Sequence, residues 1–278
     1  MTYWDAYEQG VSLLSEAGIA DAKSDVRLLL SHVAQLSWHD WLTNPRQELD
    51  PYIESAYLKA LQERAKRIPV QYILKSQEFM GLVFQINRTT LIPRPETELL
   101  VEEIQKHIKP NMSVLDLCTG SGCILISLLF HEKTCRGLGV DASEEALEIA
   151  RINARNLIPQ AKIQFACMDL YGTLSDHYDI IVSNPPYIHT AELDNLMPEV
   201  IEHEPRMALD GGVDGLTFYR RILSEGKRFF HAGTKLFLEI GYHQGPAVTQ
   251  LLCEAGFTQV TLKKDYAGLD RMVYGQWS

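Results

Sequence analysis

The feature that most constrains the fold is the alternation, from Pro93 onward, of short β-rich apolar runs with helical segments. Strands that alternate with helices pair in parallel through helical crossovers, and strands covered on both faces are apolar along most of their length. Seven runs fit this description: 113–117, 137–140, 162–166, 179–183, 235–240, 259–263 and 271–275. We therefore predict an α/β fold with a mostly parallel, seven-stranded sheet.

Helical segments separate most of these strands. They are predicted at 96–107, 123–131, 144–156, 216–230 and 245–255. This order is typical of a Rossmann-like domain, in which ligands bind where loops leave the carboxyl ends of the strands.

Residues 2–67 instead carry apolar side chains at helical spacing. Gly18 is predicted to end a first helix, Asp21 to cap a second, and Pro51 to begin a third. The third helix ends in basic residues that complement its dipole, so this region is predicted to be a small helical domain.

A predicted hairpin follows the helices. Pro69 ends the helical pattern, and alternating apolar residues from Leu82 to Ile86 predict a hairpin that turns at Asn87 and Arg88. We expect a helical domain at 1–74, a β-hairpin linker at 75–93 and the α/β domain at 94–278.

Charge and composition exclude several classes of protein. Lys and Arg number 26 against 36 Asp and Glu, a net charge of −10 that repels nucleic-acid backbones and anionic membranes. No apolar run approaches the roughly 20 residues of a membrane span, and the acidic N-terminal segment does not fit a signal peptide. The five cysteines form no Cys-x-x-Cys pair and the nine histidines no metal-binding pair, so we expect a cytoplasmic protein without a metal.

A glycine-containing loop follows the first strand of the α/β domain. It comprises Cys118, Thr119, Gly120, Ser121 and Gly122. Its glycines allow the backbone to approach a ligand closely, and an acidic residue about 20 positions further on, here Asp141, can accept hydrogen bonds from both hydroxyls of an adenosine ribose. The pattern therefore predicts an adenosine-containing cofactor.

The loop suits S-adenosyl-L-methionine better than a dinucleotide. A dinucleotide site usually has a third glycine where this chain has Leu125, and Asp116 would repel a diphosphate. S-adenosyl-L-methionine carries a sulfonium cation and no phosphate, and the Asp-x-x-Thr-Gly-Ser-Gly spacing is similar to the first motif of class I methyltransferases. Asp169, followed by Leu170 after the third strand, is expected either to face the adenine amine or to be a solvated strand-end acid.

The residues Asn184, Pro185, Pro186 and Tyr187 directly follow the fourth predicted strand, at the edge of the sheet where ligands bind. Because prolines fix φ and lack an N–H, this turn is rigid and leaves carbonyl acceptors free. The Asn184 side-chain oxygen and the Pro185 carbonyl can each accept one N–H of a planar NH₂ group, on which Tyr187 can stack. We predict that this turn, called the acceptor turn below, binds such a group.

The acceptor turn suits methylation of an amide-type nitrogen, whose lone pair is delocalised and must lose that resonance before it attacks. Two acceptors pull the nitrogen toward a pyramidal geometry. No strong base is needed, because the methylated nitrogen is cationic and loses its proton readily. His189 and His203 lie near the turn, and we interpret each as an exposed or packed histidine without a catalytic role.

Further segments resemble one known family, the HemK/PrmC glutamine N5-methyltransferases that act on peptide chain release factors. They are 67–73 (Arg-Ile-Pro-Val-Gln-Tyr-Ile), 91–98 (Leu-Ile-Pro-Arg-Pro-Glu-Thr-Glu), 204–205 (Glu-Pro), 208–216 (Ala-Leu-Asp-Gly-Gly-Val-Asp-Gly-Leu) and 238–241 (Leu-Glu-Ile-Gly). The similarity extends over essentially the whole chain.

The resemblance implies a class I methyltransferase domain that moves a methyl group from S-adenosyl-L-methionine to the glutamine of a Gly-Gly-Gln loop in release factors. S-adenosyl-L-homocysteine is the product, and the helical domain helps to hold the release factor. Residues 184–187 would bind the glutamine amide, while 118–122, Asp141 and Asn184 would line the cofactor site. Arg94 and Glu96 are further candidates, although solvated charges on a Pro-rich turn explain them equally well.

Two other substrates and one non-enzymatic role stay open. A related branch methylates a glutamine of a ribosomal protein, and adenine N6-methyltransferases use similar Asn-Pro-Pro-Tyr turns on the exocyclic amine of adenine. The net charge of −10 and the lack of a long basic arm argue against direct nucleic-acid binding. A cofactor-sensing module would bind the cofactor without forming S-adenosyl-L-homocysteine.

Overall fold

The structure, a computed structural model, describes residues 1–174 and 176–278. Its α-helices are α1 (Tyr3–Glu16), α2 (Ala22–Ala34), α3 (Trp38–Thr43), α4 (Pro51–Ala65), α5 (Val70–Leu74), α6 (Pro95–Gln105), α7 (Cys123–His131), α8 (Glu144–Leu157), α9 (Pro198–Ile201), α10 (Thr217–Gly226) and α11 (Gly245–Ala255). Its strands are β1 (Ser76–Phe79), β2 (Leu82–Gln85), β3 (Ser113–Leu117), β4 (Arg136–Asp141), β5 (Lys162–Cys167), β6 (Ile180–Ser183), β7 (Lys235–Glu239), β8 (Phe257–Lys264) and β9 (Asp270–Trp277).

The described residues form two compact units. The first contains Met1–Ser76 and Met197–His203, and the second contains Gln77–Leu196 and Glu204–Ser278. The first unit is helical, with a core around Trp41, Tyr57 and Leu61. The second unit contains the large sheet.

The helical unit has more helices than the sequence predicts. Helix α3, six residues long and capped by Ser37, is too short to show a periodic pattern, and α5 follows Pro69, which lies at its N-cap position instead of ending the helical region. Asp21 occupies the N-cap position of α2, but its side chain makes no capping hydrogen bond. The predicted start of this helix is therefore confirmed, but the cap is made by the Asp21 backbone carbonyl, which accepts the Ser24 and Asp25 amides, and not by its side chain.

The predicted position of the hairpin turn is also wrong. Strands β1 and β2 are joined by Met80 and Gly81, whose φ angles of 51° and 71° are those of a tight two-residue turn. Asn87 lies beyond β2, where its side chain accepts a hydrogen bond from the Thr89 amide. The alternating pattern identified a strand, but it does not say which end of that strand turns.

The seven-stranded sheet has the order β5-β4-β3-β6-β7-β9-β8. Strands β3 to β7 pair in parallel, and β9 runs antiparallel to both β7 and β8. One face packs against α10 and α11 and the other against α6, α7 and α8. The predicted α/β fold with a mostly parallel, seven-stranded sheet is confirmed.

Burial on both faces follows from the sequence of the central strands. In β3, Leu115 and Leu117 belong to the core on one face and Val114 to the core on the other, because successive strand side chains point in opposite directions. The helix predicted at 216–230 is shorter than expected, since α10 ends at Gly226 and a 3₁₀ turn follows. Within residues 1–174 and 176–278, no helix has the length and apolar character needed to cross a bilayer.

Candidate active site

The two loops that the sequence singles out leave the sheet side by side. Strand β3 pairs with β6 in the register Leu117 opposite Ser183, so Cys118 and Asn184 each follow the last paired residue of neighbouring strands. Strands β4 and β5 are added on one side of β3, and the next strand in the chain, β6, pairs with the other side of β3. This is the switch point at which open α/β sheets bind ligands.

A cavity of about 570 Å³ lies at this edge of the sheet. A volume of this order accommodates a nucleoside-sized ligand. The predicted site residues that line it are Cys118, Thr119, Gly120, Ser121, Asp141, Asp169, Leu170, Asn184 and Pro186. Three further predicted site residues, all in the described part of the chain, do not line the cavity: Gly122, Pro185 and Tyr187.

Asp141 joins the glycine loop to the end of β4. Its Oδ2 accepts a hydrogen bond from the Gly120 amide at 2.8 Å, and its Oδ1 accepts one from the Ser143 amide at 3.0 Å. Each carboxylate oxygen has lone pairs left for a further donor, such as a ribose hydroxyl. A Cβ built at Gly120 meets no atom within 4 Å, so this stretch of loop backbone faces open space.

The end of strand β3, just before the loop, carries a buried carboxyl group. Asp116 is fully buried, and its Oδ2 accepts the Thr119 hydroxyl at 2.6 Å. Its Oδ1 has no hydrogen-bond partner in the described part of the chain, and burial raises the pKa of Asp116 to about 7. Asp116 does not line the cavity, so of these two carboxylates only Asp141 lies where a cofactor that carries hydroxyls could reach it.

Two predicted cofactor residues have local features that the sequence did not reveal. Cys118 has a φ of 61°, a left-handed conformation that is uncommon for a residue with a side chain, and burial raises the pKa of its thiol. The Asp169 carboxylate forms a bidentate ion pair with Arg221, with N–O distances of 3.1 and 3.0 Å. Arg221 also lines the cavity and was missed from the sequence.

Neighbouring segments hold the acceptor turn in place. The Ser183 hydroxyl donates to the Leu117 carbonyl at 2.7 Å, and the Gln244 side chain donates to the Tyr187 carbonyl at 2.9 Å. Gly211 approaches so closely that a Cβ there would lie 2.7 Å from the Tyr187 backbone. A larger residue at position 211 would therefore displace the turn.

A buried polar network lies next to the acceptor turn. The Asn184 Nδ2 donates to Thr97 Oγ1 at 3.4 Å, and Thr97 Oγ1 donates to Glu239 Oε2 at 2.6 Å. The Tyr187 hydroxyl donates to Glu239 Oε1 at 3.4 Å. Burial raises the pKa of Glu239 to about 7.

Sequence reasoning missed the roles of Thr97 and Glu239 as partners of the turn. Both lie in segments used for the family resemblance, and an acidic residue at the end of the apolar strand β7 was the available signal. Arg94, a further candidate, forms an ion pair with Glu204, whose other oxygen accepts the Ile92 amide at 3.3 Å. This pairing links the two segments just before α6 and after α9.

Comparisons with known proteins identify relatives along nearly the whole chain. A family model described as the PrmC N-terminal domain matches residues 5–74, and one described as the methyltransferase small domain matches 95–216. A release factor glutamine methyltransferase from Caulobacter vibrioides is 41% identical over 99% of this chain and 96% of its own. One of the same name from Clostridium acetobutylicum is 36% identical over 97% of this chain and 96% of its own.

A solved structure supports the fold independently. A methyltransferase from Pyrococcus furiosus superposes with a TM-score of 0.54 at 16% identity, covering 70% of this chain and 89% of its own. At this level of identity the similarity concerns the fold alone.

Proposed function

This chain belongs to the family of release factor glutamine methyltransferases, and we propose which of its residues hold the methyl donor and the glutamine. The protein is a protein-glutamine methyltransferase. We propose S-adenosyl-L-methionine as donor, with the glutamine of a Gly-Gly-Gln loop in a release factor as acceptor.

The 118–122 loop and Asp141 are the proposed cofactor site. Asp141 would accept the ribose hydroxyls with the lone pairs left free by Gly120 and Ser143. Asp169 and Leu170 line the same cavity and are proposed to lie beside the adenine. When bound, S-adenosyl-L-methionine supplies an electrophilic methyl group on a sulfonium cation.

The acceptor turn is the proposed catalytic element. We propose that the Asn184 Oδ1 and the Pro185 carbonyl each accept one N–H of the glutamine amide, with Pro186 and Tyr187 completing the contact. This draws the lone pair out of the amide resonance and holds the nitrogen for attack. The observation that carries this proposal is the pairing of Leu117 with Ser183, which brings the acceptor turn and the cofactor loop to adjacent strand ends.

Incubation of the protein with S-adenosyl-L-methionine and a purified release factor tests the function. We expect S-adenosyl-L-homocysteine to form and one methyl mass to appear on the Gly-Gly-Gln peptide. Methylation of a ribosomal protein instead, or of adenine in a nucleic acid, would reassign the substrate. Cofactor binding without S-adenosyl-L-homocysteine formation on any of these substrates would contradict an enzymatic role.

The helical region at 1–74 is proposed to help hold the release factor. Its match to the PrmC N-terminal domain model supports this role. We expect the full-length enzyme to have a higher kcat/KM on an intact release factor than on a short Gly-Gly-Gln peptide. Equal values for the two substrates would contradict it.

A further inference from the structure

We propose that Thr97 and Glu239 are positioning residues that determine which end of the Asn184 amide faces the substrate nitrogen. This inference rests on the proposed function, because it concerns how the acceptor turn receives the glutamine amide. It depends on the direction of each hydrogen bond in the chain from Asn184 through Thr97 to Glu239.

The direction of the Thr97 hydrogen bond follows from its partner. Thr97 is 2% exposed, and its hydroxyl lies 2.6 Å from Glu239 Oε2. A hydroxyl has one hydrogen, and an ionised carboxylate can only accept. When Glu239 is ionised, the Thr97 hydrogen therefore points to Glu239, and only lone pairs remain on the side of Asn184.

The orientation of Asn184 follows in turn. Its side-chain amide has an NH₂ end that donates and an oxygen end that accepts, and the surrounding hydrogen bonds decide which way it points. Because Thr97 offers lone pairs 3.4 Å from Asn184 Nδ2, the NH₂ end faces Thr97. The Asn184 Oδ1 is thereby kept available for an N–H of the substrate. A reversed amide would place the Asn184 NH₂ group against the NH₂ group of the substrate, and the Asn184 oxygen against the lone pairs of Thr97.

Glu239 is fixed by more than Thr97. It is 1% exposed, it accepts the Tyr187 hydroxyl at 3.4 Å, and its own carbonyl accepts the Tyr219 hydroxyl at 3.0 Å. One carboxylate at the end of β7 therefore contacts the start of α6 and the acceptor turn after β6. A Thr97 without this acceptor would be free to turn its hydrogen toward Asn184.

The first test is the kcat of Thr97→Val, which has the same shape but no hydroxyl. We expect kcat to fall about tenfold, the equivalent of one lost hydrogen bond, while the Kd for S-adenosyl-L-methionine and the KM for the release factor change less than about threefold. Thr97→Ser, which keeps the hydroxyl, should restore most of kcat. Thr234→Val is the matched control, since Thr234 is equally buried and hydrogen-bonds to the Tyr178 carbonyl.

A double-mutant cycle separates positioning from a general structural role. If Thr97 acts through Asn184, Thr97→Val should lower kcat by less than about twofold in an Asn184→Ala background, because residues that share one interaction are not additive. A tenfold loss in both backgrounds, or no loss in Thr97→Val alone, would overturn the inference. Failure of the wild-type enzyme to methylate a release factor would instead count against the proposed function.

Discussion

The Gly120 amide donates to the Asp141 carboxylate across 2.8 Å, which ties the glycine loop after β3 to the end of the neighbouring strand β4. The same carboxylate is proposed to bind the cofactor ribose. Asp141 thus has two roles, since it holds the loop in shape and offers its remaining lone pairs to the ligand.

We expect Asp141→Ala to weaken cofactor binding by about 10- to 100-fold, because hydrogen bonds to a charged group contribute about 1.5 to 3 kcal/mol. Isothermal titration with S-adenosyl-L-homocysteine measures this change. Asp179→Ala is the control, since the Asp179 carboxylate also accepts a backbone amide, that of Ser113, but at the start of β3. Equal Kd values for Asp141→Ala and wild type would refute the ribose assignment.

Asn184→Ala should lower kcat by roughly 100- to 1,000-fold, by analogy with the removal of one preorganised hydrogen-bonding group from an active site. The cofactor Kd should change by no more than about tenfold, since Asn184 is one of several residues that line the cofactor cavity and Asp141 and the loop keep their contacts. Mass spectrometry of the release-factor peptide and titration calorimetry provide the two measurements. Full methylation by this variant would rule out the acceptor mechanism.

The pH dependence of kcat should report on Glu239, whose pKa is raised to about 7, chiefly by burial. Thr97 and Tyr187 donate to this carboxyl, Arg271 lowers its pKa and Glu96 raises it. A protonated Glu239 can donate to Thr97 and so reverse the hydrogen bond to Asn184. We therefore expect kcat to rise as the pH rises toward 7, with the midpoint below 7 when a cationic cofactor is bound.

The pH profile of Thr97→Val provides the check on that assignment. Without the Thr97 hydroxyl, no hydrogen bond connects Glu239 to Asn184, so the protonation of Glu239 no longer changes the orientation of the Asn184 amide. The rise of kcat with pH should therefore become smaller. An unchanged profile in this variant would assign the titration to another group.

Folding stability should depend on Asp116 with a defined sign. Burial raises the pKa of Asp116 in the folded state to about 7, above its usual 3.8, so the folded protein binds more protons than the unfolded chain between these values. This group therefore stabilises the fold at low pH, and its contribution is lost as the pH rises to 7, by up to about 1.4 kcal/mol per pH unit. In Asp116→Asn, the free energy of unfolding measured with urea should no longer fall with pH by this amount between pH 4 and 7.

Asp265→Asn is the control for that measurement. The ion pair with Arg271 lowers the pKa of Asp265, mainly through hydrogen bonding. The stability that Asp265 contributes is therefore constant between pH 4 and 7 and is lost only as the pH falls below this range. The slope in that range should stay as in wild type. A wild-type slope that persists in Asp116→Asn would contradict the prediction.

The helical unit should be sensitive to the buried ion pair between Arg64 and Asp25. The two side chains are each 8% exposed, and Arg64 Nε lies 2.6 Å from Asp25 Oδ2. Arg64→Met leaves the carboxylate buried without this partner, so we expect a loss of about 3 to 5 kcal/mol in the free energy of unfolding. The double variant Arg64→Met with Asp25→Leu should recover only part of it, because Arg64 also pairs with Glu199 at 3.1 Å and Glu199 then keeps only Arg67. Additive losses would contradict this account.

Local patterns predicted much of the α/β unit. The bounds predicted for β3, α7 and α11 are those observed, because apolar runs, glycines and helix boundaries are encoded within a few neighbouring residues. The glycine loop and the acceptor turn were found for the same reason. Helix α3 and the turn at Met80 and Gly81 were not, because a short helix shows no period and methionine is not a typical turn residue.

Side-chain partnerships could not be read in this way. Thr97 and Glu239 are 142 residues apart in the chain, and Asp169 and Arg221 are 52 apart. No local pattern relates such residues. Their contact exists only because the order of strands in the sheet brings the ends of distant segments together.

The amino-acid sequence alone therefore determined the fold class, and it singled out the proposed cofactor loop and the residues proposed to accept an amide N–H, since each depends on the chemistry of adjacent residues. Only the tertiary structure decided how Asn184 is oriented, because that orientation is set by a buried carboxylate on another strand. Hydrogen-bond direction depends on partners in space, and the packing of the sheet and α6 supplies them.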